Sequence, residues 1–205
     1  MNSTNLSSAF VLLLAILIYG VIHSILASLW AKEKSQHLFG IHSQRWYRLV
    51  YNLFAILSFL PVLILIRFLP DHNLYTISLP WLVISLLIQG LAALVLIAGL
   101  RQTGLSSFLG LQQIFLTPPP PPSIMITSGL YRYVRHPLYT AGLIFIWLVP
   151  KMTLNLLVLN IGLTLYILIG AVVEERKLVK EFGEAFQLYK HETPMLIPWK
   201  WKRKA

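Results

Sequence analysis

The chain has 205 residues, of which 57% are hydrophobic and 12% are charged, and it contains no cysteine. A soluble domain carries about twice that share of charged residues, so an ordinary soluble fold is excluded, as are disulfides, cysteine metal sites and thiol catalysis. In so apolar a chain, the net charge of +10 indicates basic residues placed around a membrane rather than a nucleic-acid partner.

Long apolar blocks with few charged residues predict helices that cross a bilayer. A span of hydrocarbon about 30 Å thick needs roughly 20 such residues as helix, and three blocks reach that length, over residues 6–30, 47–69 and 79–100. The first block lacks a basic leader and a small-residue cleavage site, so we interpret it as a retained span and not as a signal peptide.

Two further apolar stretches follow a polar connector. Residues 138–149 would form a helix of only about 18 Å, and Pro150 separates them from a longer block over residues 153–173. We interpret the two as a tilted helical hairpin. The predicted fold is an all-α, polytopic membrane helical bundle with five transmembrane helices.

We expect residues 1–205 to form a single membrane domain in three parts. These are three N-terminal spans in residues 1–100, a cytoplasmic connector with a polyproline linker in residues 101–136, and a helical hairpin with a C-terminal helix in residues 137–205. The linker, residues 118–122, favours a stiff segment of about 3 Å per residue, either a strut or a simple spacer.

The C-terminal helix is predicted to be amphipathic, because Leu178, Phe182, Phe186 and Tyr189 recur at helical spacing. Such a helix lies on the membrane interface or caps a bundle. Gly183 lies inside it and costs roughly 1 kcal/mol relative to alanine, so we expect close packing to require a small residue there.

The basic residues predict the orientation. All but Arg67 and Lys151 of the 17 Lys and Arg residues fall on one side of the predicted spans, and cytoplasmic loops carry that excess. The N-terminus is therefore expected outside and the C-terminus in the cytoplasm. This arrangement gathers His23, Arg101 and His136 with Glu174 at the cytoplasmic face.

A dense polar and aromatic cluster, residues 129–139, opens directly into the short apolar stretch, and the last span closes on Glu174-Glu175. Ionisable groups near lipid are costly and usually functional. The same residues carry a family resemblance. The motifs are Ser128-Gly129-Leu130-Tyr131, Arg135-His136-Pro137-Leu138-Tyr139, Glu174-Glu175 ahead of Leu178, and Phe182-Gly183 ahead of Phe186.

In this order the motifs, over residues 123–198, resemble the membrane-embedded methyltransferase superfamily. It includes isoprenylcysteine carboxyl methyltransferases, phospholipid N-methyltransferases and methanethiol S-methyltransferase-like proteins. Nearer the N-terminus, His23-Ser24 and Arg45-x-Tyr47-Arg48 look like the NnrU and methanethiol-methyltransferase branch. The resemblance implies S-adenosylmethionine as cofactor and a cytoplasmic active site.

The implied acceptor is a small or lipophilic molecule, namely a thiol, a prenylcysteine or an amine, with the lipid bilayer as the other partner. The motifs imply a set of cofactor contacts. They are the backbone of Ser123, Ile124, Met125 and Ile126, then Tyr131, His136, Pro137, Leu138, Tyr139 and Glu174, with a glutamine that is either Gln112 or Gln113. We place Gln113 in the set and leave Gln112 open.

These residue types suit the implied cofactor. A carboxylate such as Glu174 can accept hydrogen bonds from ribose hydroxyls or pair with an ammonium group. Tyr131 and Tyr139 can present ring faces to the adenine or the cation. Pro137 suits the first turn of a helix, whose unpaired N–H groups attract an anion.

Other residues leave alternatives open. His23 is either a catalytic proton acceptor for a thiol or amine, or a buried histidine bonded to a neighbouring helix backbone. Arg135 meets either lipid phosphates or the protein backbone. No metal site is predicted, because His37 and His42 offer a poor ligand set. Gly170 stands where the resemblance to prenylcysteine enzymes implies an arginine for the acceptor carboxylate, which favours a small or uncharged acceptor.

The alternative hypothesis is a non-enzymatic, NnrU-like membrane accessory protein.

Overall fold

The computed structural model describes residues 3–40, 43–115 and 124–199. The polyproline linker and Ser123 lie outside these ranges. Within them the chain is mostly helical, with one turn of 3₁₀-helix at Gly129–Arg132 and two short strands. The elements in chain order are α1 (Ser3–Leu26), α2 (Leu29–Phe39), α3 (Ser43–Phe68), β1 (Asn73–Thr76), α4 (Trp81–Thr103), α5 (Leu105–Leu109), α6 (Leu111–Phe115), α7 (Pro137–Trp147), β2 (Lys151–Thr153), α8 (Leu154–Phe182) and α9 (Glu184–Glu192).

Four of the described helices are long and apolar enough to cross a membrane. They are α1, the 45–68 part of α3, α4 and α8, and most of their side chains are not buried within the protein. Apolar surface of that extent is stable only in lipid. α7 has 11 residues, or about 16 Å, which is short for a crossing. The predicted membrane protein is confirmed, while the count of five spans stays a prediction.

The C-terminal helix differs from its prediction. α8 continues without a break through Glu174 and Glu175 to Phe182, and α9 begins only after Gly183. Gly183 has φ +58°, and a Cβ there would meet no atom within 4 Å. The expectation of close packing was therefore wrong. The glycine is needed for a backbone conformation that side chains disfavour, and this conformation separates the two helices.

Two features were not predicted. Residues 29–39 form α2, whose first turn is capped by Ser28, with the Ala31 N–H donating to the Ser28 hydroxyl oxygen at 3.2 Å. The strands β1 and β2 pair antiparallel, so the all-α prediction fails for these few residues.

The chain divides into two compact units. The first unit comprises residues 1–76, 104–121 and 151–163, and the second comprises residues 77–103, 122–150 and 164–205. The predicted single-domain organisation stays a prediction. In the first unit, Leu12, Ile16, Val62 and Leu159 form a buried apolar cluster, to which α1, α3 and α8 contribute.

In the second unit, α4 packs against α7, and side chains of α4 donate hydrogen bonds to carbonyls at the C-terminal end of α7. Gly99 admits the Leu138 side chain, since a Cβ at Gly99 would lie 2.7 Å from Leu138 Cδ2. The last carbonyls of a helix lack partners within the helix, and here Gln89 Nε2 donates to Phe145 O at 2.8 Å. Ser85 Oγ similarly donates to the carbonyl of Leu148 at 2.5 Å. α4 therefore positions α7. It also provides hydrogen-bond donors to carbonyls that would be energetically costly to leave unpaired in an apolar environment.

Candidate functional site

The start of α7 positions the first part of the site. His136 is the N-cap residue and Pro137 occupies the first helical position, where its missing N–H costs nothing. The N–H groups of Leu138 and Tyr139 belong to the first turn and have no acceptor within the helix. His136 is buried, so its imidazole is held inside the protein next to these N–H groups.

Glu174 of α8 lies next to the start of α7. Its side chain remains 46% exposed, and Tyr139 Oη donates to Glu174 Oε2 at 2.7 Å. His136 Nδ1 lies 3.8 Å from the same oxygen. The His136 and Tyr139 rings stack at 10°, with centroids 5.2 Å apart. Three residues of the predicted site therefore meet, although 35 residues separate Tyr139 from Glu174.

Glu175 has a different environment from its neighbour. Its side chain is 4% exposed, and its Oε1 accepts from Arg135 Nε at 2.6 Å. Its Oε2 lies 3.1 Å from Lys190 Nζ, and His136 Nε2 lies 3.3 Å from Oε1. Glu174 thus faces outward, whereas Glu175 is the buried centre of an ionic cluster with Arg135 and the half-exposed Lys190.

Arg135 resolves one of the open alternatives. Its guanidinium donates from NH1 to the carbonyl of Lys190 at 3.0 Å and also to the carbonyl of Thr193. Arg135 therefore contacts the protein backbone and Glu175. The two carbonyls that accept from Arg135 lie in residues 184–196, which we call the C-terminal segment.

The C-terminal segment is bound closely to the beginning of α7 and the loop before it. Tyr189 Oη donates to the carbonyl of Tyr131 at 2.5 Å, and Tyr189 and Phe186 are buried. Three more hydrogen bonds join the two regions: Arg135 N to Pro194 O at 2.9 Å, His136 N to Met195 O at 3.1 Å, and Thr140 Oγ1 to Leu196 O at 2.7 Å.

The loop before α7 is held by a residue that the sequence did not single out. Gln102, near the end of α4, donates to Ser128 O at 2.6 Å and accepts from Leu130 N at 3.3 Å. Gly129 has φ +61°, and a Cβ there would lie 2.5 Å from the Gln102 amide. Close approach therefore requires glycine at 129. The position of Gln102 at a helix end beside Arg101 was the available signal.

Residues 124–126 lead into this loop without helix, turn or strand pairing. Ile124 is 81% exposed, and Met125 and Ile126 are partly buried. Their backbone amides form no hydrogen bond with the described residues. The predicted cofactor contacts of this backbone stay predictions.

Electrostatics keep this site in defined protonation states. Burial lowers the pKa of His136, although Glu174 and Glu175 oppose that shift, so the imidazole is neutral near pH 7. Burial raises the pKa of Tyr131, and Glu174 raises it further. Burial also raises the pKa of Tyr189 to about 12. Both tyrosine hydroxyls therefore remain protonated donors at neutral pH.

His23 and Gln113 belong to the other unit. His23 Nε2 lies 2.7 Å from Tyr51 Oη, and its ring packs between Tyr19 and Tyr51. One partner of its imidazole is therefore a tyrosine hydroxyl. With its amide oriented to satisfy both ends, Gln113 donates to Gly110 O at 3.2 Å and accepts from Arg48 NH1 at 3.1 Å. Their predicted roles stay predictions.

An apolar cavity of about 200 Å³ adjoins the site between α4 and α7. It shares Pro137 with the residues described above, but His136 and Glu174 do not line it. The other lining residues are apolar apart from Tyr133 and Thr140 and include Ile88, Leu91, Val95 and Ala141. Its chemistry suits hydrocarbon, whereas polar chemistry is confined to the Glu174 side.

A sequence model of the phospholipid methyltransferase family matches residues 80–185. The match covers more than half of the chain and includes α4, α7 and α8 with His136, Tyr139 and Glu174. The chain belongs to the phospholipid methyltransferase family. This confirms the predicted superfamily.

Curated relatives carry related names. A methanethiol S-methyltransferase of Pseudomonas sp. is 51% identical over 69 residues, which are 34% of this chain and 26% of the relative. Methanethiol S-methyltransferase 1 of Bradyrhizobium diazoefficiens is 40% identical over 74 residues, 36% of this chain and 26% of the relative.

A protein-S-isoprenylcysteine O-methyltransferase of Schizosaccharomyces pombe is 31% identical over 80 residues, 37% of this chain and 33% of the relative. The matches thus span between a quarter and a third of these relatives' lengths. No solved structure matches the chain at a significant level. The methyltransferase names do not favour the accessory-protein hypothesis.

Proposed function

We propose that this protein is an integral membrane methyltransferase that uses S-adenosylmethionine. The observation that carries the proposal is the half-exposed carboxylate of Glu174, bonded by Tyr139 and 3.8 Å from the imidazole of His136. It lies beside the N-terminal turn of α7 in a chain that belongs to a methyltransferase family.

The donor and acceptor set fits the cofactor. Glu174 can accept from ribose hydroxyls or pair with the ammonium group, and the N–H groups of Leu138 and Tyr139 suit its carboxylate. The ring of Tyr131 offers a face to the adenine or the cation. The open amides of residues 124–126 suit the ring nitrogens of the adenine.

When bound, the cofactor supplies a methyl group on a sulfonium, ready for displacement by a nucleophile. Such a transfer needs alignment and exclusion of water more than strong acid catalysis. The chain's residues orient the reactants, and the C-terminal segment shields the start of α7. We retain His23 as the proton acceptor for an incoming thiol or amine, with Gln113 and Ser123 as further cofactor contacts.

The membrane arrangement belongs to the same proposal. Five crossings, with α7 as the short fourth, place the N-terminus outside and the C-terminus in the cytoplasm. The distribution of Lys and Arg supports this orientation. The site would then receive the cofactor from the cytoplasm, while an apolar acceptor arrives from the bilayer.

Among acceptors we favour a small thiol. Gly170 lies one turn before Glu174, and a Cβ there would meet no atom within 4 Å, so this face of α8 offers space and no charge. A carboxylate acceptor would lack a cation at this position. The names of the 40% and 51% identical relatives support the same choice. A prenylcysteine and a lipid amine are the competing acceptors.

The test is transfer of a labelled methyl group to methanethiol, a prenylated cysteine and phosphatidylethanolamine by the full-length protein in detergent. We expect transfer to methanethiol, loss of it in Glu174→Gln, and retention in the matched control Glu184→Gln on the exposed side of α9. Transfer to none of the three acceptors by protein that is folded would contradict the proposed activity. Transfer to another acceptor alone would contradict the thiol.

A further inference from the structure

The adjacent residues Glu174 and Glu175 both lie near His136 but differ in exposure and in their other partners. Glu174 is 46% exposed and accepts from Tyr139. Glu175 is 4% exposed, between Arg135 and Lys190. A carboxylate paired with two cations is ionised and can only accept hydrogen bonds. Any nitrogen of His136 that bonds to Glu175 must therefore carry a proton.

That requirement selects one form of His136. Its Nε2 lies 3.3 Å from Glu175 Oε1, so Nε2 is the protonated nitrogen. In a neutral imidazole the other nitrogen is then an acceptor. This nitrogen, Nδ1, lies 3.8 Å from Glu174 Oε2. Two acceptors thus stand side by side, an arrangement that suits a ligand with paired hydroxyls or an ammonium group.

The same carboxylate anchors the C-terminal segment. Arg135 is 8% exposed and joins Glu175 to the carbonyls of Lys190 and Thr193. Lys190 itself returns to Glu175 Oε2. Backbone hydrogen bonds extend this contact. The N–H groups of Arg135 and His136 donate to the carbonyls of Pro194 and Met195, respectively.

We propose that Glu175 is a positioning residue. It holds His136 in the Nε2–H tautomer, so that Nδ1 stands beside Glu174 as a second acceptor for ligand hydroxyls or an ammonium group, and through Arg135 and Lys190 it secures the C-terminal segment. The proposal rests on the proposed function in identifying that ligand as the cofactor. Glu174 contacts the ligand, whereas Glu175 acts through His136.

A buried ion pair is weak evidence for a contribution to stability, so the test must read the tautomer directly. Nitrogen NMR of full-length protein with ¹⁵N-labelled histidine distinguishes protonated from bare ring nitrogens. The chain has six histidines, and His136→Asn identifies the relevant signals. The wild type is expected to show His136 with a protonated Nε2 and a bare Nδ1.

The variants separate positioning from folding. Glu175→Leu alone leaves the buried Arg135 without its carboxylate and risks misfolding. The second variant therefore combines Arg135→Met with Glu175→Leu, because replacing both members of a buried ion pair by apolar residues is often tolerated. We expect the folded double variant to lose the Nε2–H preference and to bind S-adenosylhomocysteine at least tenfold more weakly. Glu174→Gln should weaken binding but keep the tautomer, and Glu184→Gln should change neither.

Hydrogen exchange gives the second readout. Backbone amides in the C-terminal segment should exchange faster in the double variant than in Glu174→Gln. A protonated Nδ1 in the wild type, or a double variant that keeps the tautomer, would overturn the positioning role. Because the NMR signals need no ligand, failure of the wild type to bind S-adenosylhomocysteine would count against the proposed function alone.

Discussion

At the scale of single residues, two adjacent glutamates differ in burial. In a helix, neighbours in sequence project about 100° apart, so Glu174 and Glu175 face different surroundings. Glu175 sits between Arg135 and Lys190, while Glu174 remains half exposed beside Tyr139. The outward carboxylate is therefore the one that we propose to bind a ligand.

Tyr139→Phe tests the hydroxyl that bonds to Glu174. The change removes a donor at 2.7 Å and preserves the ring that stacks on His136. A hydrogen bond to a charged group contributes about 1.5–3 kcal/mol. We therefore expect the affinity for S-adenosylhomocysteine, measured by calorimetry, to fall tenfold or more. Tyr75→Phe, on β1, is the matched control and should leave affinity unaltered. Equal affinities for both variants would argue against the role of this hydroxyl.

Gly183→Ala tests the break between α8 and α9. Its φ of +58° is a conformation that costs other residues about 1–3 kcal/mol, so the thermal midpoint in detergent should fall. Gly142→Ala is the control, because it lies inside α7 with no atom within 4 Å of the added methyl. It should leave the midpoint unchanged or raise it. A midpoint for Gly183→Ala equal to that of the wild type would contradict the conformational explanation.

Part of the local structure around the candidate site could be predicted from the sequence, for physical reasons. A His-Pro pair before an apolar stretch predicts a helix start, and α7 begins at Pro137. The ionic cluster around Glu175 was not predictable. Its partner Arg135 lies 40 residues away, and nothing local in the sequence indicates which cation reaches which carboxylate.

At the scale of elements, α7 depends on α4. A helix of 11 residues gains little stability alone, and its last carbonyls need partners in an apolar environment. Gln89 and Ser85 supply them. α4 thereby determines where α7 ends, while the loop held by Gln102 determines where it begins.

Gln89→Leu is expected to destabilise the protein. It leaves the carbonyl of Phe145 without its 2.8 Å donor, at a cost of about 1–3 kcal/mol for a buried polar group. The thermal midpoint in detergent should fall below that of Gln187→Leu, the same substitution at an exposed position of α9. Equal midpoints would mean that the Gln89 bond does not support α7.

The long helices were predictable because membrane spans follow from runs of apolar residues alone. The blocks at 6–30, 47–69, 79–100 and 153–173 correspond to α1, α3, α4 and α8. The strands were not predictable, because β1 and β2 are only four and three residues long and pair across some 75 intervening positions. For α2, Ser28 was a cap signal, but the segment lacks the apolar length of a span.

At the scale of the whole molecule, the distribution of charge supports the proposed orientation in the membrane. All but Arg67 and Lys151 of the Lys and Arg residues fall on the side proposed as cytoplasmic. The candidate site lies at the end of α8 that carries Glu174, where Arg176, Lys177 and Lys180 also lie. The cofactor would therefore reach the site from the cytoplasm.

Single cysteines test this orientation, because the chain has none of its own. Asn73→Cys on β1 should react with a membrane-impermeant thiol reagent added to intact cells. Gln187→Cys on α9 should react only after the membrane is opened. Labelling of both variants in intact cells, or of neither before permeabilisation, would contradict the proposed topology.

The central claim is that the beginning of α7 and Glu174 of α8 bind one cofactor molecule. The most direct measurement is calorimetric titration of the purified full-length protein with S-adenosylhomocysteine. We predict micromolar binding by the wild type and by Glu184→Gln, and no detectable heat for His136→Ala or Glu174→Ala. Wild-type affinity in both of these alanine variants, each confirmed to be folded, would contradict the account.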